Sequence, residues 1–270
     1  MGLPKDNWKA TRPNVLLKLN VSTMKENIFY CYIFLASIFG LFSCNSSQGE
    51  LDDETAHALL IDISGVREDS VERQRYAERA KDVVASLEQG DVLEVHVISD
   101  RSINEGGALA TLQLPVFNAS TDNPMRVTQE REHFDKLIKT KKDSVAEILV
   151  THILTDERIA PRTQIIGAIH RAAIFFKGYP SHEKTLVILS DMEEFSDHYN
   201  FTKEPLDNTR IIKILESERI GASGLPGLKG INVSVQGARS STQERFFEVR
   251  NFWIAFFKES GATFAEANYK

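Results

Sequence analysis

The sequence predicts a doubly wound α/β fold: a mostly parallel central sheet, helices on both faces and one antiparallel edge strand. Two short apolar runs lead there, each ending in a carboxylate. One lies in residues 57–65, His-Ala-Leu-Leu-Ile-Asp-Ile-Ser-Gly, and the other in 184–191, Lys-Thr-Leu-Val-Ile-Leu-Ser-Asp. Runs of this kind suit strands buried on both faces, as in a parallel sheet. The third observation is that strand-like and helix-like periodicities alternate along the chain, which implies crossover connections.

The first run is the natural central strand, with Asp62 and Ser64 at its C-terminal end, where open α/β sheets place their sites. Asp69 with Glu72 marks a helix start. Tyr76, Ala80, Val83, Val84 and Leu87 form its apolar face, and Gly90 its stop. Arg73, Arg75, Arg79 and Lys81 lie among them and are expected in solvent. Residues 92–98 read as a second strand, placed toward an edge because Glu94 and His96 interrupt its apolar character. Residues 108–116 read as an edge strand, and Pro115 and Pro124 punctuate the loop that follows.

A helical pattern covers residues 126–154, with Phe134, Leu137, Ile138, Val145, Ile148 and Leu149 as its buried set and a solvated lysine patch at 136–142. After a polar loop closed by Pro161, Thr163 opens a helix over 164–177 that ends at Gly178-Tyr179-Pro180. The second apolar run follows, then an acidic and aromatic stretch, with Glu193, Glu194 and Asp197 expected in a solvated loop. Residues 210–219 read as a helix. The glycine-rich stretch 221–230 precedes a strand and lacks the Gly-Lys-Ser/Thr ending, so it is a connection rather than a phosphate loop. Residues 231–236 alternate as a strand. Ser241 with Glu244 forms a capping box for a last helix whose Phe/Trp stripe is core, and 262–267 is expected as a final strand.

The chain has 270 residues, 42% hydrophobic and 26% charged, with a net charge of −6. That composition is globular, and without a basic stripe it gives no support to nucleic-acid binding. Near the N-terminus, Lys25 precedes fifteen uncharged residues, 28–42. A membrane-spanning helix needs about 20, so the run fits the apolar part of an export signal. Its end, Leu41-Phe42-Ser43-Cys44, resembles the lipobox of bacterial lipoproteins, which implies lipidation of Cys44. The predicted organisation is therefore a mis-assigned or disordered leader at 1–23 and a signal peptide at 24–43. A lipidated cysteine with a polar tether follows at 44–54, and one domain occupies 55–270. Cys31 is the other cysteine, so after cleavage no disulfide or thiolate metal site is available. The remaining chain carries −9, and its acyl anchor rather than charge attraction would hold it at the bacterial envelope, with the outer membrane favoured where the cell has one.

Asp62-Ile63-Ser64-Gly65-Val66 resembles the first motif of the von Willebrand factor A-type domain, Asp-x-Ser-x-Ser, with Val66 in place of its last hydroxyl. Thr163, in Arg-Thr-Gln-Ile-Ile-Gly-Ala-Ile, is similar to the family's Thr motif, and Asp191, in Leu-Val-Ile-Leu-Ser-Asp, to its Asp motif. The resemblance covers residues 55–260. It implies a metal-ion-dependent adhesion site in which Asp62, Ser64, Thr163 and Asp191 hold Mg²⁺ and leave one position for an acidic residue of a protein partner. Two carboxylates and two hydroxyls are suitable oxygen ligands for that ion. Val66 removes one direct ligand, and Arg67 beside it carries a positive charge. The function expected is a non-catalytic, protein-binding or scaffolding lipoprotein, with a metal-assisted hydrolase in the same pocket as the alternative. No Gly-x-Ser-x-Gly elbow surrounds Ser64, and no His-Glu-x-x-His spacing occurs.

Overall fold

β1 (Thr55–Ile61) occupies the centre of the sheet. Its side chains divide between two cores: Ala56, Ala58 and Leu60 face one side, Leu59 and Ile61 the other. Every residue from Ala58 to Ile61 is essentially free of solvent, and burying each Leu or Ile contributes about 1.5–3 kcal/mol. β2 (Val92–Val97) and β4 (Glu183–Leu189) pair with β1 in parallel, one on each side. β5 (Ile231–Gln236) extends the sheet in parallel beyond β4, and β3 (Ala110–Gln113) closes the other edge antiparallel to β2. The order is β3-β2-β1-β4-β5. The computed structural model describes residues 54–62, 70–100, 102, 107–156, 162–180 and 182–270. The export segment, Cys44, Ser64, Val66 and Arg67 lie outside the described residues.

Helices cover both faces, as the sequence predicts. α1 (Ser70–Ser86) and α2 (Pro124–Thr155) pack on the Leu59/Ile61 side. α3 (Ile165–Phe176), α4 (Asn208–Ile220) and α5 (Gln243–Glu259) pack on the Ala58/Leu60 side. The aromatic stripe of α5 is core: Phe252, Trp253, Phe256 and Phe257 are fully buried, with Phe201 edge-on to Phe252 at 4.7 Å. Among the described residues, no helix is long and apolar enough to cross a membrane.

Several expectations need correction. Pro124 opens α2 instead of ending a loop. Asn123 Oδ1 accepts from the Met125 and Arg126 amides at 3.1 and 3.4 Å, and Pro124 follows the cap, where a missing N–H is tolerated. Val145 and Leu149 of α2 are buried and Ile153 joins them, but Leu137 and Ile148 are exposed. The buried residues are confined to the C-terminal part of this 32-residue helix, so helical spacing alone over-counts the buried set. Arg73 is buried rather than solvated, because its guanidinium donates to the Leu154 and Asp156 carbonyls at 3.1 and 2.9 Å. It thereby closes the C-terminal end of α2. The cap of α5 is Thr242, whose Oγ1 accepts from the Arg245 amide at 3.1 Å, not Ser241. Residues 262–267 form no strand. Thr263 and Tyr269 make single bridges to Asn232 and Val235, and the 3₁₀ turn Glu266–Asn268 between them breaks the pairing register.

Candidate functional site at the strand ends

From β1 the chain crosses to β2 on one side, and from β4 it crosses to β5 on the other. The C-terminal ends of β1 and β4 are therefore a topological switch point, where connecting segments diverge and leave a crevice. Asp62 stands at the end of β1. Its amide donates to the Leu189 carbonyl at 2.8 Å, and the residue is only 2% exposed. The Ser190 hydroxyl donates to Asp62 Oδ2 at 2.9 Å and accepts from the Met192 amide at 2.9 Å. Ser190 thus joins the two strand ends.

Asp191 follows, half-buried, with Oδ1 accepting from the Glu193 amide at 3.0 Å. Met192 has φ +68°, the left-handed region that non-glycine residues rarely adopt. The fully buried Met192 is held there by Trp253, whose indole N–H donates to its carbonyl at 2.8 Å. Burial pushes the Asp191 carboxyl up to about 7, and the charge of Asp62 pushes the same way. The Glu193 amide and Arg239 pull it down, while the Glu193 charge again raises it. The structure therefore brings Asp62 and Asp191 into one electrostatic neighbourhood.

Thr163 is buried and fixed by its backbone: its amide donates to the Phe195 carbonyl at 2.7 Å, and the Phe195 amide returns a bond at 3.0 Å. The Gln164 amide donates to the Ser99 carbonyl at 3.1 Å, tying this segment to the chain just past β2. The start of α3 is capped from a distance. Glu194 Oε2 accepts from the amides of Ile165 at 2.7 Å and Ile166 at 3.1 Å. Glu194 is 2% exposed, so it is not the solvated loop residue that sequence reading expects. Burial raises its carboxyl to about 7; the two amides and the Ser196 side chain oppose this, and Glu218 adds to the rise.

Ser64 lies outside the described residues, so three of the four sequence-predicted ligands have a described position. Sequence reading missed Ser190, the capping role of Glu194, Arg239 and Tyr76. Ser190 is adjacent to Asp191 in the motif and was the easiest to find. Glu194 caps a helix that starts 29 residues back in the chain, for which no spacing rule exists.

The donor set can be tested against a hard divalent cation. Two neighbouring carboxylates withdrawn from water carry an unfavourable like charge that such an ion would offset. The Tyr76 hydroxyl, fully buried, has no hydrogen-bond partner among the described residues although the charges of both carboxylates act on it. Oxygen donors and an unsatisfied polar atom fit Mg²⁺ better than a softer metal. Arg239 supplies part of the positive charge already. Among the described residues, no group of three or more His, Cys, Asp or Glu is placed to hold a metal.

No protein-family model matches the chain, and no curated protein matches it. Solved structures do. A von Willebrand factor type A protein from Catenulispora acidiphila is 12% identical, with a TM-score of 0.38 over 77% of this chain and 43% of its own. The pilus adhesin SpaC from Lactobacillus rhamnosus GG is 11% identical, with a TM-score of 0.44 over 80% of this chain and 29% of its own. An aerotolerance-related membrane protein from Bacteroides fragilis is 15% identical, with a TM-score of 0.37 over 78% of this chain and 90% of its own. The chain spans less than half the length of the first two. At these TM-scores the fold assignment rests on the chain's own strand order, register and helix layers. Those features make the described domain a doubly wound α/β fold.

Proposed function

We propose that this protein is a bacterial lipoprotein, anchored through Cys44, whose α/β domain is a non-catalytic protein-binding or scaffolding module. Its contact surface is the strand-end crevice around Asp62, Ser64, Thr163 and Asp191. The observation that supports this most is the placing of two desolvated carboxylates at the topological switch point, with Ser190 joining their strands. A protein partner bearing a complementary group would meet the crevice at its rim, through the half-buried Asp191. Phe195, 38% exposed and paired through its backbone with Thr163, adds an apolar contact to that rim.

Mg²⁺ is proposed as the ion of this site, held by Asp62 and Asp191 with the Thr163 and Ser64 hydroxyls. When bound, such an ion supplies an acceptor position for a carboxylate of the partner. The residues of the chain do the rest: Ser190 orients Asp62, the Met192 turn orients Asp191, and Glu194 fixes the start of α3 next to Thr163.

Partner capture from native membranes, with wild-type protein and Asp191→Ala side by side, tests the proposal. A species retained by the wild type and lost with Asp191→Ala supports it. Equal capture by both overturns the assignment of the surface. Turnover of phosphoester or peptide substrates that disappears in Asp191→Ala would instead establish the metal-assisted hydrolase.

A further inference from the structure

We infer that the Tyr76 hydroxyl is a further oxygen of the strand-end site, contributed by α1, and that it meets the bound cation directly or through one ordered water. This rests on the cation-binding reading of the same crevice given above. Tyr76 looks at first like an ordinary core residue of an amphipathic helix. Its ring belongs to the cluster that includes Leu59, Ile61, Val187 and Leu189, and the whole residue is inaccessible to solvent.

The hydroxyl does not fit a purely packing role. Buried hydroxyls are nearly always hydrogen-bonded, because losing water without replacement is unfavourable. This one has no partner among the described residues, yet the charges of Asp62, Asp191, Glu72 and Arg239 all act on it. Burial foremost, and the three carboxylates after it, hold the phenol in its neutral form. A neutral phenol beside carboxylates would donate to one of them if it reached, and it donates to neither. An intervening polar group would satisfy both sides, since the phenol oxygen can accept from a water or approach a cation, and a carboxylate oxygen can do the same.

A second observation places the hydroxyl at the strand ends. Gly237 follows β5 directly and has φ +91°. A Cβ built on it would lie 2.5 Å from the Tyr76 hydroxyl oxygen. The hydroxyl therefore occupies the space that any side chain at 237 would fill, against the backbone leaving β5. Position 237 is held open for it both by the missing side chain and by a backbone angle suited to glycine. Arg79, one turn further along α1, donates to Gln236 Oε1 at 2.9 Å and holds the same helix face to the same strand end.

The experiment uses the purified full chain as wild type, Tyr76→Phe and Asp191→Ala. Each is titrated with Mn²⁺ by electron paramagnetic resonance and melted in EDTA. The phenylalanine variant keeps the buried ring and removes only the hydroxyl. The expected result is that wild type binds Mn²⁺, that Tyr76→Phe binds about tenfold more weakly, and that in EDTA Tyr76→Phe melts at or above the wild-type temperature. Equal Mn²⁺ affinity of Tyr76→Phe and wild type would overturn the role of the hydroxyl and leave the cation site standing. Absence of Mn²⁺ binding by wild type would overturn the cation reading and this inference with it. A lower melting temperature of Tyr76→Phe in EDTA would show that the hydroxyl has a partner within the protein, which overturns the inference whether or not the metal binds.

Discussion

Replacing Glu194 with glutamine separates two things that this residue does at once. Its carboxyl accepts from the first two amides of α3, a favourable arrangement at a helix N-terminus. It is also buried, and burial penalises the ionised form strongly enough to raise its pKa from 4.5 to about 7. The folded protein therefore holds this proton to higher pH than the unfolded chain does. The associated stability is fully present below pH 4.5 and is lost as pH rises through about 7. At 1.36 kcal/mol for each tenfold change, the loss is on the order of 3 kcal/mol. Glutamine keeps an oxygen acceptor for the amides and never ionises. Urea unfolding of both proteins from pH 4.5 to 8 reads the difference. The two midpoints should nearly coincide at the acid end. Glu194→Gln should then gain steadily, reaching about 1 M in urea midpoint at pH 8 for a slope of 2–3 kcal/mol/M. Asp191 titrates in the same direction in both proteins and cancels in the comparison. Parallel pH profiles would refute the reasoning, because they would mean that Glu194 is already ionised in the fold at no cost.

Three further substitutions test contacts that hold the fold together. Trp253→Phe removes the indole donor from the buried Met192 carbonyl and should cost about 1–3 kcal/mol in urea unfolding; a change within 0.5 kcal/mol, the usual range of surface substitutions, would show that the indole does not hold the left-handed turn. Arg73→Met breaks two charge-assisted bonds at the end of α2 and should cost roughly 2–4 kcal/mol by the same assay, whereas a solvated arginine would show almost no effect. Asn123→Ala removes the cap of α2 at an exposed helix end and should lower stability by about 1 kcal/mol, or about 2–4 °C in a thermal melt.

Much of this fold was legible because its signals are local. The apolar runs of β1 and β4 identify strands buried on both faces, and the alternation in 231–236 identifies β5 with the observed boundaries. What was not legible depends on contacts across the chain. Helical spacing placed Leu137 and Ile148 inside, but only tertiary packing decides how much of a long helix meets the sheet. Arg73 reads as a surface charge until the carbonyls ending α2 arrive beside it. The acidic stretch after Asp191 reads as a solvated loop, yet Glu194 turns inward to cap α3. For the candidate site, the motifs alone propose Asp62, Thr163 and Asp191. Ser190 and Tyr76 were not singled out for it, because a serine beside an aspartate and a tyrosine on an apolar helix face each have an ordinary explanation.

The most direct measurement of the proposed function is site-specific photo-crosslinking in native membranes, with a photoreactive residue placed at position 195 or at position 125. Phe195 borders the strand-end crevice through its pairing with Thr163. Met125, 76% exposed, lies in the first turn of α2. A discrete crosslinked partner at 195, absent at 125 and lost when Asp191→Ala is added, is the predicted result. A partner crosslinked at 125 and not at 195, or one unaffected by Asp191→Ala, would contradict the strand-end surface as the place where this protein binds.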